Sequence, residues 1–242
     1  MLEKFKEFQL ALLGLFLAIG IIFGAVIATN NLSKNDITVT GSAFKIVTSD
    51  SASWRFSIQT KAPNKTEAYK IIQKQIPMVK EYLKEKGIDE KNIEALLPNG
   101  YEIYRNNANG YSTNEVIAYS YTQPFRISSN DVEKIREIST DSQTLLEKGV
   151  NIGSYDEPEY QYSKLADLKI KLLEEATKDA KARANSMLKA NRNHVGKIKQ
   201  VRMGVFQITA PDSNSVSDDG INDSSTIEKK VTAVANVTFS IK

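Results

Sequence analysis

Apolar positions in this chain recur in three rhythms. Residues 10–29, LALLGLFLAIGIIFGAVIAT, form an unbroken apolar run with no charge and no Pro. As a helix the run reaches about 30 Å, the thickness of a bilayer's hydrocarbon core, and it has no polar face. Period two comes next, at Ile37, Val39 and Gly41 and again at Trp54, Phe56 and Ile58, with Ser49-Asp50-Ser51 between them as a turn signal. This pattern predicts an opening β-hairpin over 37–47 and 52–62. Helical spacing then takes over at Ala68, Ile72, Ile76, Val79 and Leu83, with Asn64 and Glu67 as a start signal and Gly87 as the stop. Pro77 lies inside that helix and lacks the amide proton that would bond the preceding turn, which predicts a kink or a break.

Residues 92–105 and 111–127 predict a second hairpin around the turn-forming stretch 106–110. On its return strand Tyr119, Tyr121, Phe125 and Ile127 share parity, with Tyr101 and Ile103 expected on the facing strand. Such a stripe is first of all one buried sheet face, and otherwise a ligand platform. Asn130 with Glu133 opens a second helix through Val132, Ile135, Ile138, Leu145 and Leu146, ending at Gly149. Residues 150–162 predict a strand, and Pro158 within it points to an edge or a bulge. The longest helical signal runs over 163–191, where Leu165, Leu168, Leu172, Ala176, Ala180, Ala184 and Leu188 make one stripe. Alanine at every fourth position leaves a face without bulk, able to lie very close to a neighbour. Two closing strands, 197–209 and 229–241, flank a Ser/Asp/Asn-rich stretch at 210–228 that reads as a flexible surface loop.

The element order is therefore ββ-α-ββ-α-β-α-ββ. It predicts an α+β fold of antiparallel sheets with helices packed on one face, preceded by one N-terminal transmembrane helix. The segments are a cytoplasmic N-terminus at 1–9, a transmembrane signal anchor at 10–29, a tether at 30–36 and an extracytoplasmic domain at 37–242. Lys86-Gly87-Ile88 and Lys148-Gly149-Val150 follow the first two predicted helices and echo one another, which suggests two related halves.

Lys4, Lys6 and the terminal amine precede the apolar run, and Lys34 is the one nearby base after it. This bias places the N-terminus in the cytoplasm and the bulk of the chain outside, as in a single-pass protein of the inner membrane. A cleaved signal peptide is the alternative: Val26 and Ala28 are small residues before a cleavage point, although the run exceeds the usual 7–15 apolar residues or so. Gly20 and Gly24 have the spacing of a helix-pairing motif, but such glycines are common in membrane helices and carry no assignment here.

Charge and composition mainly exclude. A net charge of +3 without a dense basic patch speaks against nucleic acid as a partner. The absence of Cys removes disulfides, thiol nucleophiles and Cys-ligated metals, and His194, the one His, is read as a residue at a helix end that complements the dipole. Asp218, Asp219, Asn222, Asp223 and Glu228 raise calcium, but Gly220 falls too early for an EF-hand loop. No catalytic or metal-ligating residue and no cofactor is assigned.

Several short stretches resemble SIMPL-domain proteins, in order along residues 37–241. Ile37-Thr38-Val39-Thr40-Gly41-Ser42-Ala43 resembles their opening strand, and Gly110-Tyr111 their mid-hairpin motif. Gly149-Val150-Asn151 resembles their G-A-N turn with Val in place of Ala. Residues 176–184, ATKDAKARA, resemble their Ala-rich helix, and Val195-Gly196-Lys197-Ile198 the strand entry after it. The resemblance implies an envelope-facing bacterial protein of poorly defined function. Some relatives, known as periplasmic immunogenic proteins, form large ring-shaped oligomers and have been called channel-forming. The family supplies no catalytic residues to carry over.

Three functions are weighed. The first is a membrane-anchored, self-associating structural component of the envelope: a bilayer partner through 10–29, assembly as a homo-oligomer, sheet edges free to pair. The second is a module that binds an envelope ligand or partner protein through Tyr101, Tyr104, Tyr111, Tyr119 and Tyr121, residues that offer both apolar area and a hydroxyl. The third, a hydrolase using a carboxylate pair among Asp156, Glu157 and Glu159, lacks a visible nucleophile–base–orienter set, and the chain is expected not to be an enzyme.

Overall fold

The structure, a computed structural model, describes residues 12–26 and 35–242. Residues 12–26 are helical (α1) and exposed along their length. Among the described residues no helix is long and apolar enough to cross a membrane. Both ends of the 10–29 span, and most of the predicted tether, lie outside the described residues.

Beyond α1 the chain is mixed α+β. It runs through β1 (Asp36–Thr48), β2 (Ser51–Ala62), α2 (Lys65–Glu85), a short 3-10 turn (Glu90–Asn92), β3 (Ile93–Ala95), β4 (Asn99–Asn106) and β5 (Ser112–Ser129). It continues through α3 (Val132–Asp141), α4 (Thr144–Glu147), β6 (Ile152–Tyr155), β7 (Glu159–Gln161), α5 (Leu165–Lys189), β8 (Val195–Met203), β9 (Gln207–Thr209), β10 (Ile221–Asn222) and β11 (Glu228–Ile241). Two compact units result. One holds Thr177–Met203, Ala235–Lys242 and the described residues up to Gly41, and the other holds Ser42–Ala176 and Gly204–Val234.

In the larger unit a six-stranded sheet has the order β3-β5-β2-β6, with β4 also on β5 and β7 also on β2. Its strands pair antiparallel, for example Phe56↔Phe125 at the centre, Ile93↔Ile127 on one side and Phe56↔Tyr155 on the other. The β2-α2-β3 half and the β5-α3-β6 half thus exchange their outer strands, the arrangement of a split βαβ fold. Trp54, Phe56, Ile58, Phe125 and Ile127 present one sheet face, and Ile72, Val79, Tyr82 and Leu83 of α2 and Ile135 and Ile138 of α3 close over it in one buried cluster. Helices on one face of an antiparallel sheet therefore hold for this unit.

The echo between the halves has a geometric basis. After α2 the Gly87 amide donates to the Lys84 carbonyl and the Ile88 amide to Leu83; after α4 the Gly149 amide donates to Leu146 and the Val150 amide to Leu145. Both are Schellman caps. Their glycines sit at φ 81° and 79°, where a side chain is strained, and the following Ile88 and Val150 are buried. A third cap closes α5 with the same bonds, Arg192 to Lys189 and Asn193 to Leu188, but places Arg192 at φ 61°.

Several expectations need correction. β1 and β2 are not a hairpin: β1 pairs with β11 and β2 with β5, β6 and β7, so the Ser49-Asp50 turn is a corner between sheets. There the Ser49 amide donates to the Ile227 carbonyl and the Asp50 amide to Gln161. Residues 92–105 split into β3 and β4, and 197–209 into β8 and β9. The second helix divides into α3 and α4, and its cap is Asp131, accepting from the Lys134 amide, rather than Asn130. α2 runs through Pro77 without a break and is capped by Asn64 accepting from the Glu67 amide, as predicted. Pro158 falls in the gap between β6 and β7, both of which pair with the same side of β2.

In the smaller unit the beginning of β1 meets the end of β11, with a Thr38–Thr238 hydroxyl bond at 2.9 Å and Thr40 donating to Asn236 at 2.5 Å. β8 pairs antiparallel with the same part of β11, Val201 opposite Val237. Ala180, Ala184 and Leu188 of α5 are buried, as are Ala235, Val237 and Phe239 of β11. His194 lies beyond the end of α5 and extends the ladder instead: its amide donates to the Lys242 carbonyl, whose residue donates back, both at 2.8 Å.

Candidate partner-binding surface

The β4–β5 hairpin carries the tyrosines singled out in the sequence. Its connector is held by the Asn107 side chain, which accepts from the Asn109 and Tyr111 amides, each at 3.0 Å. Asn107 also donates its own amide to the Tyr111 carbonyl. Every β4 residue except Ile103 is exposed.

The register distributes Tyr101, Tyr104, Tyr119 and Tyr121 over both faces. Gly100 opposes Tyr121, Tyr101 opposes Ser120 and Glu102 opposes Tyr119, so Tyr101 is on the facing strand, as expected, but on the other face from Tyr119 and Tyr121. On one face the Tyr104 hydroxyl donates to the Glu102 carboxylate. That carboxylate raises the Tyr104 pKa above the ordinary tyrosine value. Tyr121 lies over Gly100, where an added Cβ would come within 2.8 Å of its ring, and meets Tyr69 of α2 edge-on at 5.7 Å. On the opposite face Gln59 donates to the Tyr101 hydroxyl at 3.3 Å and to Ser120 at 2.8 Å. Hydrogen bonds from Ser120 and Gln59 lower the Tyr101 pKa. Tyr111 is exposed in the connector.

A cavity of about 370 Å³ gathers Tyr101, Tyr104 and Tyr119 with Lys65, Gly100, Glu102 and Ser120. Phe125 and Ile127, which share the stripe, are buried, whereas Tyr101 is 56% exposed and Tyr104 41%. Along β5 the stripe is thus core at Phe125 and Ile127 and half-buried at Tyr119 and Tyr121, while Tyr101 and Tyr104 of β4 are accessible. Chemically this surface can stack and hydrogen-bond.

The acidic cluster lies elsewhere. Asp156, Glu157 and Glu159 line a cleft of about 300 Å³ with Arg55, Arg126 and Trp54. Among the described residues no group of three or more His or acidic side chains is placed to hold a metal ion.

Sequence reasoning missed a buried lysine. Lys229 shares parity with Val231, Ala233, Ala235, Val237 and Phe239 on β11 and is 4% exposed, a position the alternation alone marks as inward. Its ammonium donates to the Asp223 carbonyl at 2.7 Å and to the Thr226 carbonyl at 2.6 Å. Burial lowers its pKa, against the pull of the Asp223 carboxylate. Gln207 braces the same loop further along, donating to the Ser217 carbonyl and accepting from its amide, and β10 pairs in parallel with β9. Residues 210–228 are therefore a cross-braced strap rather than a free loop.

Two carboxylates make acid stability predictable. Asp50 accepts from the Ser163 hydroxyl at 2.6 Å and the Ser163 amide at 2.8 Å, and these bonds lower its pKa. Asp141 is lowered by Lys86, at 2.6 Å, and by Thr144. A depressed folded-state value means that the unfolded chain takes up the proton first. The stability from these groups is present above about pH 4 and is lost as pH falls through the folded values. The melting midpoint is expected to drop as pH falls below about 4, and Asp50→Asn with Asp141→Asn to flatten that slope in calorimetry.

The chain matches the SIMPL family, described as proteins of unknown function (DUF541), over residues 37–239, and it belongs to that family. No curated protein matches it. The stretches resembling the family fall at 37–43 in β1, 110–111 in the hairpin connector, Gly149 at the cap of α4, 176–184 on α5, and 195–198 opening β8.

Proposed function

We propose that this SIMPL protein is a membrane-tethered component of the cell envelope that self-associates through its extracytoplasmic part. The observation that carries the reading is the β4–β5 hairpin, exposed on both faces around its tip and bordered by an outer edge of β4 with no paired strand among the described residues. The apolar run 10–29, with Lys4 and Lys6 before it, supports the tether and its orientation. The reading involves no catalytic step, metal or cofactor.

The test is the mass of the full chain extracted in mild detergent, by light scattering coupled to size exclusion, with its N-terminus sequenced on the same sample. A discrete oligomer that retains the apolar run is expected. A monomer beginning near Thr29 overturns both tether and assembly. That outcome would favour a second reading, a released module that binds an envelope ligand or protein at the cavity of Lys65, Glu102, Tyr104 and Tyr119, whose accessible tyrosines suit it.

A further inference from the structure

We propose that the end of the smaller unit at which β1 begins docks on the anionic phospholipid headgroups of the bilayer that holds the chain; this inference rests on the membrane-tether reading and adds the surface that lies against the membrane. A net charge of +3 for the whole chain hides an uneven distribution. Between Asp179 and Asp212 stand seven Lys and Arg residues and not one acid. Most of that stretch folds into the smaller unit, whose described acids are Asp36 and Asp179. Both are already taken, Asp36 by Lys199 at 2.5 Å and Asp179 by Arg183 at 2.7 Å. Lys189, Arg192 and Lys197 are exposed and have no ion pair among the described residues.

Backbone bonds gather these bases where the domain leaves its tether. The Asn35 carbonyl accepts from the Ile241 amide, and Lys242 and His194 exchange two bonds, so Asn35, the start of β8 and the cap of α5 share one end of the sheet. The cap closes with the Arg192 amide donating to the Lys189 carbonyl, and Lys197 follows on β8. Arg192 stands where the caps of α2 and α4 use Gly, at φ 61°. A side chain kept in that costly conformation is the kind of strain that working surfaces retain.

Chain length fixes the occupant. Six residues lead from Thr29, the last of the apolar run, to Asn35, and a chain of that length spans at most about 20 Å. The headgroup layer fills about 5–8 Å of this distance. The tether therefore confines the basic end to within about two Debye lengths of the lipid surface, at an effective concentration that no free polyanion has. Each Lys or Arg near an anionic surface strengthens attachment by about fivefold. These bases lie far beyond the span in sequence, so they leave the orientation set by Lys4 and Lys6 unchanged.

The chain has no Cys, so a fluorophore on Asn193→Cys reports this one place. The full chain is reconstituted in vesicles that carry a headgroup-labelled quencher lipid, made either of phosphatidylglycerol with phosphatidylcholine or of phosphatidylcholine alone. Quenching is expected to be at least about threefold greater in the anionic vesicles and to fall to the phosphatidylcholine level at high salt. Reversing three bases, as Lys189→Glu, Arg192→Glu and Lys197→Glu, is expected to abolish the difference with the circular dichroism spectrum kept. The milder Lys189→Gln with Lys197→Gln leaves the cap residue in place and is expected to reduce it. Lys61→Glu, Lys70→Glu and Lys74→Glu change the net charge equally on exposed positions of the larger unit and are expected to preserve it. Equal quenching in the two vesicles, no response to salt, no effect of the first two variants, or an equal loss in the third overturns the docking, while the tether stands if alkaline carbonate leaves the chain in the vesicles. If carbonate strips the chain from both, the tether falls and the docking with it.

Discussion

Trp54→Ala is expected to lower the unfolding free energy by about 3–5 kcal/mol, the usual range for removing a buried aromatic ring. Trp54 is 2% exposed, stacks on Phe56 at 4.6 Å between ring centres, and donates its indole N–H to the Asp156 carbonyl at 2.8 Å. Phe56 in turn stacks on Phe125 at 5.4 Å, so the substitution opens a void at the end of an aromatic row that joins β2 to β5. The lost hydrogen bond adds to the cavity, because it also held the segment between β6 and β7. Urea unfolding followed by circular dichroism measures the effect, since the substitution removes the chain's one Trp fluorophore. Trp54→Phe keeps much of the ring and loses only the donor, so it is expected to cost less. A loss below about 1 kcal/mol for Trp54→Ala would contradict the burial described for this position.

Ala180→Leu is expected to destabilise the chain by about 1–3 kcal/mol through overpacking. Ala180 is fully buried on α5 in line with Ala176 and Ala184. Leu is nearly as good a helix former as Ala, so helix propensity accounts for only a small part of such a loss. Ala182→Leu makes the same chemical change on the exposed face of the same helix. It is expected to stay within about 0.5 kcal/mol of the unmodified chain, and equal costs for the two substitutions would show that the Ala stripe is not a close contact.

Local chemistry was legible wherever one residue decides the outcome. Asn64 capped α2, Gly87 and Gly149 ended helices, and Pro158 interrupted a strand. Where two neighbours could serve equally, the sequence did not decide: Asn130 and Asp131 both suit a cap, and the structure uses Asp131. Long-range pairing was not legible at all. Period two shows that 37–47 and 52–62 are strands but says nothing of partners, and a short turn between them suggested a hairpin that does not exist. The same limit misplaced Tyr101. Each strand's parity was clear, but which residues oppose each other depends on register, and a one-residue difference moves a side chain to the other face. The cavity beside Tyr104 and Tyr119 exists only once that register is fixed.

The pairing of β1 with β11 bears on how the chain matures. Thr38 reaches Thr238 across 200 positions of sequence, so among the described residues β1 has no sheet neighbour until β11 has been delivered. Contacts of such separation make folding slow, because closing the loop costs entropy before any bond repays it. A chain arriving N-terminus first must carry an open strand through most of its synthesis, with Phe44 and Ile46 exposed on it even in the finished structure. Loss of β11 would therefore leave β1 without its sheet neighbour as well, and a holding chaperone that shields β1 until β11 arrives would act where this topology is most vulnerable.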